Sequence, residues 1–291
     1  MQGRVLSGVG GLYSVYAQGE IFLLRAQSKL RHKKLKPLVG DIVQFTPGKG
    51  EEDGWLEAIE PRRNELIRPA VANIDKLCAV FSASVPQADL LLADRLLIFA
   101  RMRSIEPVLV VNKSDTDADG AQRIIRQYAQ AQARCFAVSA HTGEGVDELR
   151  GYLAGSIHAF GGQSGVGKSS LMNALYGFSQ EVGDISERIE RGKNTTRSCE
   201  LKPVPGGGMA LDTPGFSLLD LPLMDPDELR GYYPEYAPYE NKCRFIGCVH
   251  LYEPDCPVRD AVARGEIDPL RHERYQRLYE DMKIRWRERY D

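Results

Sequence analysis

The chain has 291 residues, 43% of them hydrophobic, with a formal net charge of -2 and six cysteines. This length leaves room for two or three domains with buried cores, and six cysteines are too few for a disulfide framework. The sequence has no apolar run long enough to cross a bilayer and no secretory signal at its start, so we expect a cytoplasmic protein without a membrane partner. The small net charge excludes global attraction to nucleic acid, so such a partner needs local patches.

Residues 1 to about 67 consist of short β segments separated by glycine. The segments are VLSGVGGLYSVYA, GEIFLLRA, DIVQFTP and GWLEAIEPR. Each carries aromatic or β-branched residues at strand spacing, and about five strands in this length predict a small β-barrel. A basic run without acids begins in the second segment, formed by Arg25, Lys29, Arg31, Lys33, Lys34 and Lys36. It is either a solvated loop or a surface that contacts RNA.

From about residue 74, apolar strands alternate with segments of helix length, which predicts an α/β domain with a parallel sheet covered by helices. The predicted strands are KLCAVFSAS, EPVLVVN, RCFAVSA, SIHAFGG, SCELKPV and GGMALDT. The predicted helices are LLLADRLLIFARMRS, DGAQRIIRQYAQAQA and KSSLMNALYG. After Leu221 come proline, tyrosine and a cysteine cluster, then a helix from about Asp268 to Arg289. We therefore divide the chain into residues 1–67, 68–222 and 223–291.

A guanine-binding motif is predicted where the strand EPVLVVN ends, at Asn112-Lys113-Ser114-Asp115. The Asp115 carboxylate can accept hydrogen bonds from N1 and the exocyclic amine of guanine, which adenine does not offer in that geometry. Asn112 would approach the opposite edge of the base, and the Lys113 stem would cover the ring while its amine braces the phosphate loop. These residue types also occur in ordinary surface turns. A second strand end at Ser139-Ala140 supports the guanine site, because its backbone N–H groups can meet the guanine oxygen.

A phosphate-binding loop of the GxxxxGK[ST] type lies between the strand SIHAFGG and the helix KSSLMNALYG. Its residues and the one that follows are Gly162, Gln163, Ser164, Gly165, Val166, Gly167, Lys168, Ser169 and Ser170. Glycines let successive N–H groups and the positive end of the helix face phosphate oxygens. Lys168 would neutralise the β and γ phosphates, and the Ser169 hydroxyl would be a ligand of Mg²⁺ bound with the nucleotide.

Two segments have the positions of nucleotide-sensing switches. Asp212-Thr213-Pro214-Gly215 ends the last predicted strand, which places the Asp212 carboxylate beside magnesium and the Gly215 N–H near the γ-phosphate. Between this segment and the phosphate loop, GKNTTRS offers Thr195 or Thr196 to close on magnesium, and the pattern does not choose between them. Phe216 follows Gly215 and cannot orient a water, so we expect slow basal hydrolysis that a partner accelerates.

Four metal-ligand residues lie within fourteen positions near the C-terminus, as Cys243-x4-Cys248-x-His250-x5-Cys256. Three thiolates and one imidazole match one tetrahedral, structural zinc ion, and the alternative is a group of buried cysteines. The other cysteines, Cys78, Cys135 and Cys199, lie in apolar segments and are predicted to be core.

The final helix either packs on its own domain or binds RNA. Its basic residues are Arg271, Arg274, Arg277, Lys283, Arg285, Arg287 and Arg289, and aromatic and acidic residues are interleaved with them.

The order of these motifs is unusual, because the base-reading motifs precede the phosphate loop. The whole chain resembles the ribosome small-subunit-dependent GTPase A family, also called RsgA or YjeQ. The resemblance implies an N-terminal β-barrel (OB-fold), a central, circularly permuted α/β P-loop GTPase domain and a C-terminal zinc-binding α domain. In members of this family a histidine often precedes the paired threonines, where this chain has Asn194.

The resemblance also implies a function. It predicts late maturation of the small (30S) ribosomal subunit, with GTP hydrolysed to GDP and phosphate under stimulation by the subunit, whose 16S rRNA would be a partner. We expect a monomer. The alternatives are a GTP-dependent RNA-modifying enzyme, for which no second catalytic group of residues is apparent, and a passive RNA-binding module, which the intact Lys168, Ser169 and Asp212 disfavour.

Overall fold

The computed structural model describes residues 1–27, 35–49, 52–67, 69–178, 199–212 and 220–290. Most of the predicted basic run, from Lys29 to Lys34, lies outside these ranges. Within them, no helix has both the length and the hydropathy needed to span a bilayer.

Five strands at the N-terminus close into a barrel in the order β1-β2-β3-β5-β4, as predicted. They are β1 (Gln2–Val9), β2 (Leu12–Ala17), β3 (Glu20–Ala26), β4 (Ile42–Thr46) and β5 (Gly54–Ile59). The first predicted segment is two strands, because Gly10 and Gly11 both adopt positive φ and reverse the chain between them. The barrel interior is a separate apolar cluster that includes Val15, Leu24 and Leu56.

A short connection leads from the barrel to the central domain through β6 (Glu65–Leu66) and β7 (Val71–Ala72). Asp41, at the start of β4, is fully buried and accepts hydrogen bonds from Arg62 Nε at 2.8 Å and Nη2 at 2.9 Å. The hydrogen bonds to Asp41 raise the pKa of Arg62, so its guanidinium stays charged. It therefore ties the connection to the barrel.

The central domain contains a six-stranded sheet in the order β10-β9-β8-β11-β13-β12, in which only β12 is antiparallel to its neighbour. Its strands are β8 (Lys76–Ser82), β9 (Glu106–Asn112), β10 (Arg134–Ala137), β11 (Ile157–Gly161), β12 (Glu200–Pro203) and β13 (Met209–Asp212). Its helices are α1 (Leu90–Met102), α2 (Ala118–Gln127), α3 (Val146–Leu153) and α4 (Lys168–Tyr176). All six predicted strands are present, with β9 matching its predicted ends.

The central helices differ from prediction in two places. Helix α2 ends at Gln127, six residues before the predicted segment ends, and the chain turns at Tyr128, which is fully buried and donates to Leu90 O at 3.2 Å. Helix α3 was not predicted, since it has only eight residues and buries only Val146, Leu149 and Leu153.

The described part of the C-terminal region consists of short helices and one long helix rather than a sheet. Two 3₁₀ helices, Pro226–Tyr232 and Pro234–Tyr236, precede α5 (Pro257–Ala263) and α6 (Pro269–Arg287), and a 3₁₀ turn, Glu288–Tyr290, follows. Helix α6 begins one residue after the predicted start because Asp268 is its N-cap, with the carboxylate accepting from Arg271 N at 2.9 Å.

Helix α6 joins the C-terminal region to the central domain through buried charges. Arg271 is 2% exposed and forms ion pairs with Asp94 of α1 and with Glu235. Arg274 donates to Asp94 Oδ2 at 2.6 Å. Burial alone would lower the pKa of Arg271, but the two carboxylates outweigh it and raise the pKa above its usual value. Two of the arginines considered as an RNA surface are therefore part of an internal contact, as the packing alternative expects.

Candidate nucleotide site and metal-ligand cluster

The predicted nucleotide motifs converge at one edge of the sheet. Strands β8 and β9 pair in parallel with Ser82 opposite Asn112, and β11 lies on the other side of β8. Parallel strands end at the same edge, so the loops that follow β9 and β11 are neighbours there. The predicted guanine and phosphate motifs therefore meet although 50 residues separate Asn112 from Gly162.

Asn112 links three of these loops. Its side chain is buried, with Nδ2 donating to Val166 O at 2.9 Å and Oδ1 accepting from Ala140 N at 3.0 Å. The Asn112 amide holds the phosphate loop and the Ser139-Ala140 loop together. Its predicted contact with the base stays a prediction. One N–H of Nδ2 and one lone pair of Oδ1 remain for other partners.

Lys113 braces the phosphate loop as predicted. Its Nζ donates to Gly165 O at 2.9 Å and also to Val85 O at 2.6 Å, in the loop after β8. The residue has a φ of 62°, which is uncommon for a side chain of this size and aims the lysine across the site. The adjoining Ser114 is buried, and its N–H donates to Val138 O at 3.1 Å.

Two glycines of the phosphate loop lie where other segments of the same chain approach closely. Gly162 has a φ of 134°, and a Cβ there would lie 2.0 Å from Val80 O. Gly167 has a φ of 88°, and a Cβ there would lie 2.6 Å from Asn112 Nδ2. A larger residue at position 167 would therefore push away the side chain that links the motifs.

Lys168 is the first residue of α4, so its ammonium lies beside the loop that precedes the helix. Its Nζ donates to Gly162 O at 2.7 Å and to Gln163 O. Burial lowers the pKa of Lys168. A glycine-rich loop that leads into a helix N-terminus, with this cation beside it, suits a polyphosphate.

A cavity of about 370 Å³ opens where the motifs meet. It is lined by Asn112, Lys113, Asp115, Thr116, Ala140, His141, Gly167 and Ser170. Its volume lies within the range of small-molecule sites, about 300–1,000 Å³. The Asp115 side chain is exposed and free to meet a ligand.

Sequence reasoning missed several residues around this cavity. Thr116 and His141 line it directly, and each stands next to a recognised motif, which was the only signal available. Gln163 was predicted as a phosphate-loop residue, but its link to the start of α1 was not: its Oε1 accepts from Asp89 N at 2.9 Å and its Nε2 donates to Gln87 O at 3.0 Å. No sequence pattern marked residues 84–89 as part of the site.

The predicted switch residues are only partly covered by the structure. Asn194, Thr195, Thr196, Gly215 and Phe216 lie outside the described residues. Strand β13 pairs with β11 in parallel, with Leu211 opposite Ala159, and ends at Asp212. The Asp212 main chain thus lies at the same edge of the sheet as the phosphate loop.

The four predicted metal ligands come together in the C-terminal region, with their ligand atoms all within 4.8 Å of one another. His250 Nδ1 lies 3.4 Å from Cys248 Sγ, 3.4 Å from Cys256 Sγ and 3.7 Å from Cys243 Sγ. Cys248 Sγ and Cys256 Sγ are 3.7 Å apart.

These separations fit zinc. Tetrahedral ligands about 2.3 Å from zinc are roughly 3.8 Å apart, and shorter Zn–N bonds bring nitrogen slightly closer to sulfur. Three of the four ligands are buried and Cys243 is half-buried, although the surrounding loop looked too polar to bury them. Cys78 is fully buried as predicted, whereas Cys135 and Cys199 are half-buried.

The strand order, the phosphate loop and the earlier base-reading loops define a P-loop GTPase with permuted motifs. Residues 59–222 match the family described as RsgA GTPase, and residues 2–56 match the RsgA N-terminal domain. The chain belongs to the RsgA GTPase family, which confirms the resemblance found in the sequence.

Curated relatives match along nearly the full chain. The small ribosomal subunit biogenesis GTPase RsgA of Caldanaerobacter subterraneus subsp. tengcongensis is 39% identical, covering 100% of this chain and 98% of that protein. The protein of the same name from Moorella thermoacetica is 42% identical, covering 94% of this chain and 95% of its own.

Two solved structures share the fold. The crystal structure of YjeQ from Thermotoga maritima matches with a TM-score of 0.83 and 33% identity, covering 97% of this chain and 98% of that one. YloQ, described as a circularly permuted GTPase, matches with a TM-score of 0.80 and 30% identity, covering 98% and 95%.

Proposed function

We propose that this chain is a GTPase of late small-subunit (30S) maturation, which binds the subunit and its 16S rRNA and hydrolyses GTP to GDP and phosphate to time its release. The relatives' names support the biological role. The observation that carries the chemistry is the Asn112 side chain, which joins the base-reading loops to the phosphate loop. The RNA-modifying enzyme and the passive RNA-binding module have no comparable support.

We assign guanine selection to the loops after β9 and β10. In this assignment the exposed Asp115 carboxylate accepts from N1 and the exocyclic amine of guanine, and the Lys113 stem covers the ring. The Ala140 N–H then passes from Asn112 Oδ1 to the guanine oxygen, the Ser139 N–H stays with Glu144 O, and Asn112 Nδ2 and Ser114 hold the loops in place. The support is the cavity lined by Lys113, Asp115 and Ala140, and the hydrogen bonds of Lys113 and Ser114 that fix its walls.

We assign phosphate binding to residues 162–170, with Lys168 moving from its carbonyl partners to the β and γ phosphates. Mg²⁺ would enter with GTP and be held by Ser169, with Asp212 and either Thr195 or Thr196 completing the site and Gly215 near the γ-phosphate. The family supports this assignment, as does the position of Asp212 at the sheet edge.

We assign one structural zinc ion to Cys243, Cys248, His250 and Cys256. Four protein ligands leave no open position for catalysis, so the ion would stabilise the C-terminal region. The proposal divides the chain at residues 67 and 222 and describes a cytoplasmic monomer without a membrane partner.

The function is tested by measuring GTP hydrolysis with and without purified small ribosomal subunits at low salt. We expect slow hydrolysis alone, clear stimulation by subunits, and loss of both in Lys168→Ala, because the variant cannot neutralise phosphate charge. High salt should weaken stimulation, since contacts with RNA depend on counterion release. Wild-type rates that do not change with subunits would refute the proposed function.

A further inference from the structure

A groove crosses the C-terminal region beside the metal-ligand cluster. Two hollows of about 370 and 530 Å³ adjoin there and share Arg230 and Glu240 in their walls. One end is lined by Phe245 and Ile246 together with three residues of the cluster, Cys243, Cys248 and His250. The other end is lined by Asp225, Asp227 and Glu228. We call this feature the C-terminal groove.

The apolar end of the groove holds two side chains out in solvent. Ile246 is fully exposed and Phe245 is 44% exposed. Both lie on the four-residue loop between Cys243 and Cys248, so the cluster fixes the loop at each end. Large apolar side chains held in water on a fixed loop are typical of an interaction site, because burying them against a partner costs little ordering.

The other end of the groove is acidic. Its lining has four carboxylates, from Asp225, Asp227, Glu228 and Glu240, against one cation, Arg230. The guanidinium of Arg230 is itself engaged, since it donates to Cys248 O. Arg244, on the apolar loop, is bound by Asp255 at 2.8 Å. This surface repels phosphate backbones and attracts cationic side chains.

We propose that the C-terminal groove takes a basic polypeptide segment that inserts an apolar side chain against Phe245 and Ile246. The inference rests on the proposed function, and it identifies this occupant as a protein component of the small ribosomal subunit rather than its rRNA. Charge complementarity favours a basic protein segment over rRNA, because an RNA strand would meet four carboxylates in the groove.

A charge-reversal variant distinguishes a basic protein segment from rRNA as the occupant, because the two predict opposite changes in the affinity for small subunits. Glu228→Lys/Glu240→Lys changes two exposed or half-exposed side chains and should weaken binding to purified small subunits at least tenfold, measured with a non-hydrolysable GTP analogue. If the groove faced rRNA, the same reversal would tighten binding. The matched control is Asp119→Lys/Glu273→Lys, which adds the same charge outside the groove lining and should leave binding unchanged or slightly tighter.

A second measurement identifies the partner directly. A benzophenone amino acid placed at position 246 should cross-link, in purified subunits, to a protein segment rich in lysine or arginine. Metal content and unfolding temperature should equal the wild-type values in every variant. Cross-linking to rRNA alone, or unchanged or tighter binding by Glu228→Lys/Glu240→Lys, would overturn the groove proposal while leaving the proposed function intact. Wild-type protein that fails to bind subunits would refute the proposed function and this inference together.

Discussion

The central sheet and the C-terminal region are held together by different kinds of side chain. Strands β8, β9 and β11 are buried along nearly their whole length, mostly by apolar residues. The C-terminal region instead buries a Cys/His cluster, a group of tyrosines and the ion pairs of Arg271. The difference teaches that the sheet is stabilised mainly by excluding water from apolar side chains, whereas the C-terminal region adds polar partners whose loss one at a time is costly.

Removal of the metal should therefore produce the largest difference in stability between the two regions. We expect chelation or Cys256→Ser to raise amide hydrogen exchange across residues 220–290 while β8, β9 and β11 stay protected. The reason is that zinc binding contributes roughly 10–16 kcal/mol of apparent folding free energy in zinc-finger peptides, and a contribution of this kind is lost when the metal is removed. The control is Cys135→Ser, which makes the same chemical change outside the cluster. Equal loss of protection in both regions would contradict the claim that the cluster stabilises the C-terminal region in particular.

Asp94→Asn should destabilise the junction between the two regions. The carboxylate serves both Arg271 and Arg274, so the variant leaves Arg271 with Glu235 alone and removes the ion pair of Arg274, and breaking a buried ion pair in this way costs about 3–5 kcal/mol. Denaturant unfolding would measure the loss, with the exposed Asp119→Asn as the control. If both variants unfold alike, the buried ions contribute nothing to the junction.

These two regions also differ in how far sequence reasoning reached. The strand EPVLVVN was predicted residue by residue, because its apolar run is short and rich in valine and a polar motif ends it. The convergence of Asn112 with the phosphate loop was also predictable, since parallel strands end at one edge. The ion pair between Asp94 and Arg271 was not, because the two charges are 177 residues apart and no local pattern joins them.

The same limit applies within the candidate site. Gln163 belongs to a recognised motif, yet its contacts with the loop before α1 depend on how two neighbouring strands pack. RNA contact by the basic run, most of which lies at positions 28–34, stays a prediction.

A smaller effect is expected from a buried titratable residue inside the sheet, His158 of β11. It is fully buried, its Nε2 lies 2.7 Å from Tyr176 Oη, and burial lowers its pKa to about 4. The unfolded ring takes up a proton near pH 6.5 but the folded ring does not, so this contribution to stability is complete above pH 6.5 and lost as pH falls towards 4. At pH 5 the loss is about 2 kcal/mol.

His158→Gln checks this expectation. The free energy of unfolding is measured with denaturant between pH 7 and 5. Its slope against pH should correspond to about one proton fewer taken up on unfolding in the variant than in the wild-type protein. Parallel curves for the two proteins would mean that His158 is not held neutral by the sheet.

The claim that the permuted motifs form one guanine site is tested most directly by exchanging the base preference at Asp115. Asp115→Asn replaces a pure acceptor with a group that accepts and donates, which matches the N1 hydrogen and 2-oxo group of xanthine instead of the guanine amine. The measurement is equilibrium binding of GTP and of xanthosine triphosphate to both proteins. We predict that the variant binds GTP at least a hundredfold more weakly than wild type and prefers xanthosine triphosphate. Unchanged preference for GTP in the variant would contradict the account.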